Sequence, residues 1–468
     1  MSDLPSSANP LERVLGVLLK KRGPGPFRNG GFDRSLSVPT TRGFRVAGWI
    51  VASAIFATSL IVWYGVDHGI TGPITPTGDS WESATPAIAV EHGVFGCAYP
   101  ASARSSTPPL YPTIAGGILA ATGSLFDIGP RVHASACPAL GQRANGTAYP
   151  EWSFLLTGLV AWPALLAGFV VLLSVSGRGG TRFELLGTWA LGAIPAIASA
   201  YMQYFHPEDL LAMGLALGAI AFALRRRWVA AGICLGLACC SKQYAVLAAI
   251  PLVLATPRGA RARLTAAAGG TGIVVLAPLT AVMGKGMILS LAGRYATTMN
   301  GQTLVGQLGL HGDLRLAAAR GLPLAIAAGL AVFARRRFGD ELLAPVPLTA
   351  LVAGSLILRL VFEVNLYSYY FLAAAVSLVA LEVVGGRFRL GTVAWLVATG
   401  ALYPPAYEAL VPIQERAALF IQAGVVICAL ALALGPLLRP APASSLVPAS
   451  VSTRATPNLR VPARSGAG

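Results

Sequence analysis

The chain has 468 residues, is 55% hydrophobic, and carries a formal net charge of +16 with a mean hydropathy of +0.65. Such a composition excludes a soluble globule, and 35 Lys+Arg against 19 Asp+Glu would suit a nucleic-acid partner only if the basic residues formed one surface. They do not: they fall in short clusters between apolar stretches, so nucleic acid is not expected as a partner.

A bilayer-crossing helix needs ~20 apolar residues, and the sequence reads as an all-α polytopic membrane protein of about 12 transmembrane helices. Residues 1–45 are basic and rich in Gly and Pro, with no signal-peptide core, and read as a disordered cytoplasmic tail. The membrane domain runs over 46–438. Its expected spans are 46–66, 153–174, 184–203, 209–224, 228–240, 244–256, 264–283, 318–334, 342–361, 368–384, 391–408 and 417–438. Residues 439–468 form a second disordered cytoplasmic tail.

With the N-terminus inside, Arg178/Arg182, Arg225–Arg227, Arg258/Arg261/Arg263, Arg335–Arg337 and Arg387/Arg389 all fall on the cytoplasmic side. This is the positive-inside bias, and it places both termini in the cytoplasm of a multi-pass plasma-membrane protein. Carboxylates gather at the opposite face, where they can line a polar cavity instead of facing lipid.

The first outer loop, 67–152, spans roughly eighty residues, a length that usually signals function. Residues 80–92 suit a short helix. Pro108-Pro109-Leu110-Tyr111-Pro112 opens a second one through about residue 126, expected in the membrane interface. Asp79 precedes the first of these helices and Glu82 lies within it. Asp79 is either an N-cap or a general base acting on a hydroxyl. Cys97 and Cys137 share this loop, where an oxidising exterior would permit a disulfide.

At the next outer turn, His206-Pro207-Glu208-Asp209 reads in two ways. Pro and two acids suit a helix start, while two carboxylates and a His could hold a polar substrate or a divalent cation. The cation is an option and not a requirement.

Lys242 interrupts the apolar run 228–256, which is bounded by Arg clusters at both ends, so two half-spans meeting at Lys242 are expected. Its natural partners are a phosphate, or Glu208 and Asp209. Arg359 and Glu363 stand four apart on one helix face, followed by Tyr369 and Tyr370, which also suit an interfacial belt.

Taken in order, these residues resemble the GT-C superfamily of membrane glycosyltransferases. The segment from His206-Pro-Glu-Asp through Arg225-Arg-Arg-Trp to Ser241-Lys242-Gln243 is most similar to glycosyltransferase family 87, the polyprenyl-phosphate-mannose-dependent mannosyltransferases of actinobacteria. The resemblance implies a GT-C-like bundle whose large first extracytoplasmic loop carries interfacial helices. It also implies a polyprenyl-phosphate sugar donor, a glycan or glycolipid acceptor, and an extracytoplasmic active site.

It further implies Asp79 as base with Glu82 nearby, and Lys242 with Arg359 at the departing phosphate. Glu208 or Asp209 would shape the acceptor side. Some relatives carry a Lys just before the Pro-Pro-Leu stretch; here Thr107 stands there, with Arg104 as a substitute. His206, Glu363 and Tyr369 complete the expected substrate-binding set. Two rival readings are a secondary transporter or lipid flippase, which intramembrane charges and a broken helix also suit, and a non-catalytic partner in envelope assembly.

Overall fold

The computed structural model describes residues 39–68, 80–99, 107–126, 156–202, 204–291, 310, 312–363, 368–402 and 415–438. Apart from an isolated bridge between Pro39 and Thr181, the described residues form helices and their connections. In chain order they are α1 Arg42–His68, α2 Ser80–Glu91, α3 Leu110–Phe126, α4 Ala161–Val175, α5 Arg182–Gly192, α6 Pro195–Met202, α7 Pro207–Leu224 and α8 Trp228–Ser241. Then follow α9 Val246–Ala255, α10 Arg258–Met283, α11 Lys285–Leu291, α12 Gly312–Phe338, α13 Pro345–Phe362, α14 Phe371–Val384, α15 Leu390–Leu402 and α16 Glu415–Leu438.

Six of the described helices are long and apolar enough to cross a membrane, or seven if α5 and α6, bent by 42° at their break, count as one span. The protein is therefore a membrane-embedded helical bundle. Among the described residues each span expected from hydropathy falls on helix, 184–203 on the two helices α5 and α6, but α8, α9, α14, α15 and the apolar stretch Ala423–Leu438 of α16 are shorter than a bilayer-crossing length, so the expectation of about 12 full spans is not reached by length.

Burial sorts the helices into centre and rim. In α7 83% of the apolar window is buried inside the protein, against 6% in α10. Every residue of α14 from Phe371 to Val384 is buried, so α14 is enclosed by protein instead of lipid. At the rim, α1, α10 and α16 turn Ile61, Ile273, Val274 and Phe420 outward.

Between lipid-solvated helices close packing, not water exclusion, drives association, and small residues permit it. A Cβ on Gly168 of α4 would run into the Gly214 carbonyl of α7, and one on Gly232 of α8 into the Leu264 carbonyl of α10. These glycines set how closely the helix pairs approach.

Helix direction separates two ends of the bundle. α7 runs away from His206 toward Arg225–Arg227, and α8 returns to Lys242. There the backbone turns extended (φ −152°, ψ 132°), and a 3-10 turn, Gln243–Ala245, leads into α9 and on to Arg258. α13 climbs to Arg359 and Glu363; α14 descends to Arg387. The expected break at Lys242 is present, and the Arg clusters lie at the end opposite to it.

Candidate functional site

Six charged or titratable side chains from three parts of the chain meet at the Lys242 end, ordered so that bases and acids alternate. His206 Nδ1 lies 2.8 Å from Glu208 Oε1. Lys242 Nζ donates to the same oxygen at 2.9 Å and stands 3.2 Å from Asp209 Oδ2. Asp209 Oδ1 is 3.6 Å from Arg359 Nη1, and Arg359 Nε donates to Glu363 Oε2 at 3.0 Å.

All but Arg359 are buried outright, with Glu208 0% and Asp209 1% exposed; the Arg359 side chain is 10% exposed. Charges this deep persist only when paired.

Local structure explains the placement. Phe205 takes φ +51°, a conformation rarely adopted by a bulky residue, and this turns the chain sharply between α6 and α7. The Phe205 ring is held between Tyr111 and Tyr201, with centroids at 6.3 and 5.6 Å. Pro207 then opens α7, so Glu208 and Asp209 occupy its first turn, where the helix dipole favours negative charge.

The broken hairpin supplies the cation. Ser241 Oγ donates to the Glu208 carbonyl at 3.0 Å and Tyr244 OH to the Asp209 carbonyl at 3.3 Å. The two hydroxyls fix Lys242 against the start of α7.

Aromatic rings wall the cluster. Arg359 lies between the rings of Tyr244 and Tyr370, 4.4 and 4.2 Å from their centroids, an arrangement that holds a guanidinium flat and partly offsets its lost hydration. Tyr369 packs on His206 at 4.3 Å and on Tyr204 at 4.9 Å.

The first-loop helices pack onto the same region. α3 touches α7 and α8, Tyr111 OH is hydrogen-bonded to Thr157 Oγ1 at 2.9 Å, and α2 pairs with α3. Tyr99 OH donates to the Thr107 carbonyl, and Thr107 Oγ1 meets Ser83 Oγ at 3.2 Å. Thr107 thus ties the start of α3 to α2. Cys97 between them is disulfide-bonded, while Cys234, Cys239, Cys240 and Cys428 are free; Cys137, expected as its partner, lies outside the described residues.

Comparison with the opposite end of the bundle separates site from scaffold. There Glu184 accepts from Arg45 Nε and Nη2, Trp49 Nε1 and the Gly180 amide. Glu382 accepts from Thr392 and from the Arg389 side chain and amide. Both of these buried carboxylates have each oxygen engaged. At the Lys242 end, Glu208 Oε2 and Asp209 Oδ2 are buried and accept no hydrogen bond. Buried polar atoms are nearly always satisfied in folded proteins, and an exception calls for an explanation, a bound ligand, ion or water among them. Arg359 is correspondingly under-used, with Nε its hydrogen-bonded nitrogen and Nη1 only at ion-pair distance from Asp209.

Of the residues expected from sequence, His206, Glu208, Asp209, Lys242, Arg359, Glu363 and Tyr369 come together here. Asp79 and Arg104 lie outside the described residues; Glu82 lies in α2, with its side chain outside them. The sequence reading missed Tyr244 as the second wall of the Arg359 clamp, although its position two residues beyond Lys242 in the broken hairpin was a usable signal. His206, Glu208 and Asp209 each offer a donor atom within 4.8 Å of the others, the only such group of metal-binding character among the described residues. No family model matches this chain, and comparison with curated proteins finds no match.

Proposed function

We propose that the chain is an integral membrane glycosyltransferase. It moves a sugar, mannose by the resemblance described above, from a polyprenyl-phosphate donor to an envelope glycan or glycolipid. The observation that carries this reading is the pair Lys242 and Arg359. Both approach one weakly held carboxylate, Asp209, at 3.2 and 3.6 Å, beside Glu208 Oε2, a buried oxygen without a hydrogen bond. Cations with spare donors suit a phosphate; acceptor oxygens without donors suit the hydroxyls of a sugar.

The chemistry is an inverting displacement. An acceptor hydroxyl oxygen forms the new bond to the sugar's anomeric carbon, and the bond from that carbon to the phosphate oxygen breaks. The hydroxyl proton passes to Asp79, and polyprenyl phosphate departs with the electron pair, its growing charge met by Lys242 and Arg359. Donors aimed at developing charge in a water-poor site supply much of a rate enhancement of this kind.

A lipid carrier also suits a site embedded among membrane helices, because the polyprenyl chain partitions into the bilayer and leaves only sugar and phosphate to be held. The Arg clusters at the far end favour a cytoplasmic location for that end, and the Cys97 disulfide favours an oxidising compartment for the first loop. Together they support an extracytoplasmic site in the plasma membrane with both termini inside.

The test uses membranes carrying wild-type protein or Asp79→Asn at matched levels, with radiolabelled polyprenyl-phosphate-mannose and an envelope-lipid fraction. Transfer by the wild type alone is expected. Equal transfer by both moves the base to Glu82, Glu208 or Asp209. No transfer by either, with a polyprenyl-phosphate-arabinose donor inactive as well, overturns the reading. The bent α5–α6 pair and the break at Lys242 also suit a transporter or flippase. That reading predicts flux of labelled glycolipid across proteoliposomes without covalent change.

A further inference from the structure

The donor set His206, Glu208 and Asp209 has the composition of a divalent-cation site, two carboxylates and an imidazole with donor atoms within 4.8 Å of one another. All three residues are buried, and one oxygen on each carboxylate accepts no hydrogen bond. A side-chain ammonium already stands among them. Lys242 Nζ reaches Glu208 Oε1 at 2.9 Å and Asp209 Oδ2 at 3.2 Å, bridging the two carboxylates as a metal ion would.

We infer that Lys242 is the resident cation of a latent divalent-metal site, so that the cluster functions without a metal because the chain supplies the positive charge itself. The inference concerns cation occupancy alone and does not rest on the transferase reading.

Electrostatics favours this assignment. Two adjacent buried carboxylates cannot both stay ionised without compensating charge; Lys242 shares its one charge between them, and Arg359 adds a second beside Asp209. A divalent ion added beside Lys242 would place like charges a few ångströms apart in a low-dielectric interior. Replacing Lys242 by a neutral side chain reverses the balance: the carboxylates lose the ammonium they share, leaving Asp209 with Arg359 at 3.6 Å and Glu208 with the His206 ring at 2.8 Å, and a metal becomes the available substitute. A His-plus-carboxylate set suits Mn²⁺, Co²⁺ or Zn²⁺.

Co²⁺ is the probe, because its visible absorption reports nitrogen and oxygen ligation. Purified, tag-free wild-type protein, Lys242→Ala, and Lys242→Ala/Asp209→Asn would each be titrated with Co²⁺ under argon without reductant, which keeps the Cys97 disulfide intact. The double variant controls for the free cysteines, which are unchanged in it. We expect no stoichiometric Co²⁺ in the wild type, one ion per chain in Lys242→Ala with a raised unfolding temperature, and loss of both effects in the double variant.

A wild-type protein that binds Co²⁺ as tightly as Lys242→Ala, with that binding abolished by Asp209→Asn, would overturn the assignment. So would a folded Lys242→Ala that binds none. If Lys242→Ala is not recovered folded, the near-isosteric Lys242→Met takes its place. If neither folds, the wild-type titration decides, since Asp209-dependent binding there refutes a resident ammonium and its absence supports one. Failure of sugar transfer would leave each of these outcomes unchanged.

Discussion

Lys242 Nζ and Glu208 Oε1 lie 2.9 Å apart across 34 residues of sequence, joining the tip of a broken hairpin to the first turn of α7. Each partner has been drawn from water into the bundle, so each depends on the other. Removing one member of a buried pair typically costs about 3–5 kcal/mol, because the survivor is left uncompensated. A double-mutant cycle on Lys242→Met and Glu208→Gln should therefore show each single variant destabilised by roughly 3 kcal/mol, with a coupling of about 2 kcal/mol that the double variant recovers. Denaturant unfolding in detergent measures it. Additive losses would mean the pair is held apart by its surroundings.

Arg359 is clamped by Tyr244 and Tyr370 and hydrogen-bonded through Nε alone in the ion-pair chain. Lysine cannot reproduce a planar fork stacked between two rings. Arg359→Lys should lower transfer by on the order of 10²-fold, mainly in turnover, the scale for losing one charge-stabilising donor. Tyr370→Phe keeps the ring and should stay close to wild type; Tyr370→Leu removes it and should forfeit about 1 kcal/mol. Steady-state transfer rates on the three variants provide the comparison.

Glu184 offers the contrasting case. It is fully buried and every oxygen is engaged, by Arg45, Trp49 and the Gly180 amide. Glu184→Ala should destabilise the bundle by about 3–5 kcal/mol while leaving turnover per folded molecule unchanged. Thermal unfolding paired with an activity assay normalised to folded protein separates the two effects. A turnover defect at wild-type stability would contradict a scaffold role.

Glu91 ends α2, with its side chain 8% exposed and 4.0 Å from His92 Nε2. Burial raises its carboxyl from 4.5 to about 7. The unfolded chain loses this proton near the ordinary value, so Glu91's stabilising contribution is complete below about pH 4.5 and is lost as pH rises through about 7. His92, lowered by the same burial, acts in the opposite sense: its contribution is present above the ordinary value and lost as pH falls through its lowered one. The difference in unfolding midpoint between Glu91→Gln and wild type cancels the His92 effect. That difference should grow in favour of the variant from pH 4.5 to a plateau above 7. A difference flat with pH would place Glu91 in contact with water.

Much of the site was legible because its signals are local. An acid or lysine in an apolar stretch is conspicuous, and the interruption at Lys242 follows from Arg clusters on both sides of a run too long for one half-span and too short for two full ones. The four-residue spacing of Arg359 and Glu363 gave their pairing directly. What stayed hidden involves elements far apart in sequence. Nothing near Arg359 announces Asp209 as its second partner or Tyr244 as its clamp, since those contacts depend on how α13 crosses the hairpin.

The sequence by itself determined that this is a helical membrane protein whose Arg clusters lie at the end opposite to the acids of the Lys242 cluster, because hydropathy and charge are properties of single segments tested independently against lipid and water. Only the tertiary structure decided which charges become one site. Alternation from His206 to Glu363 requires α7, the Lys242 hairpin and α13 to converge, and glycine contacts such as Gly168 against Gly214 and Gly232 against Leu264 set the approach of the neighbouring helices. Tertiary packing also left Glu208 Oε2 without a hydrogen bond and Asp209 Oδ2 with only its ion-pair contact to Lys242, while satisfying Glu184 and Glu382. That distinction depends on the position of every neighbouring donor, which no single segment encodes.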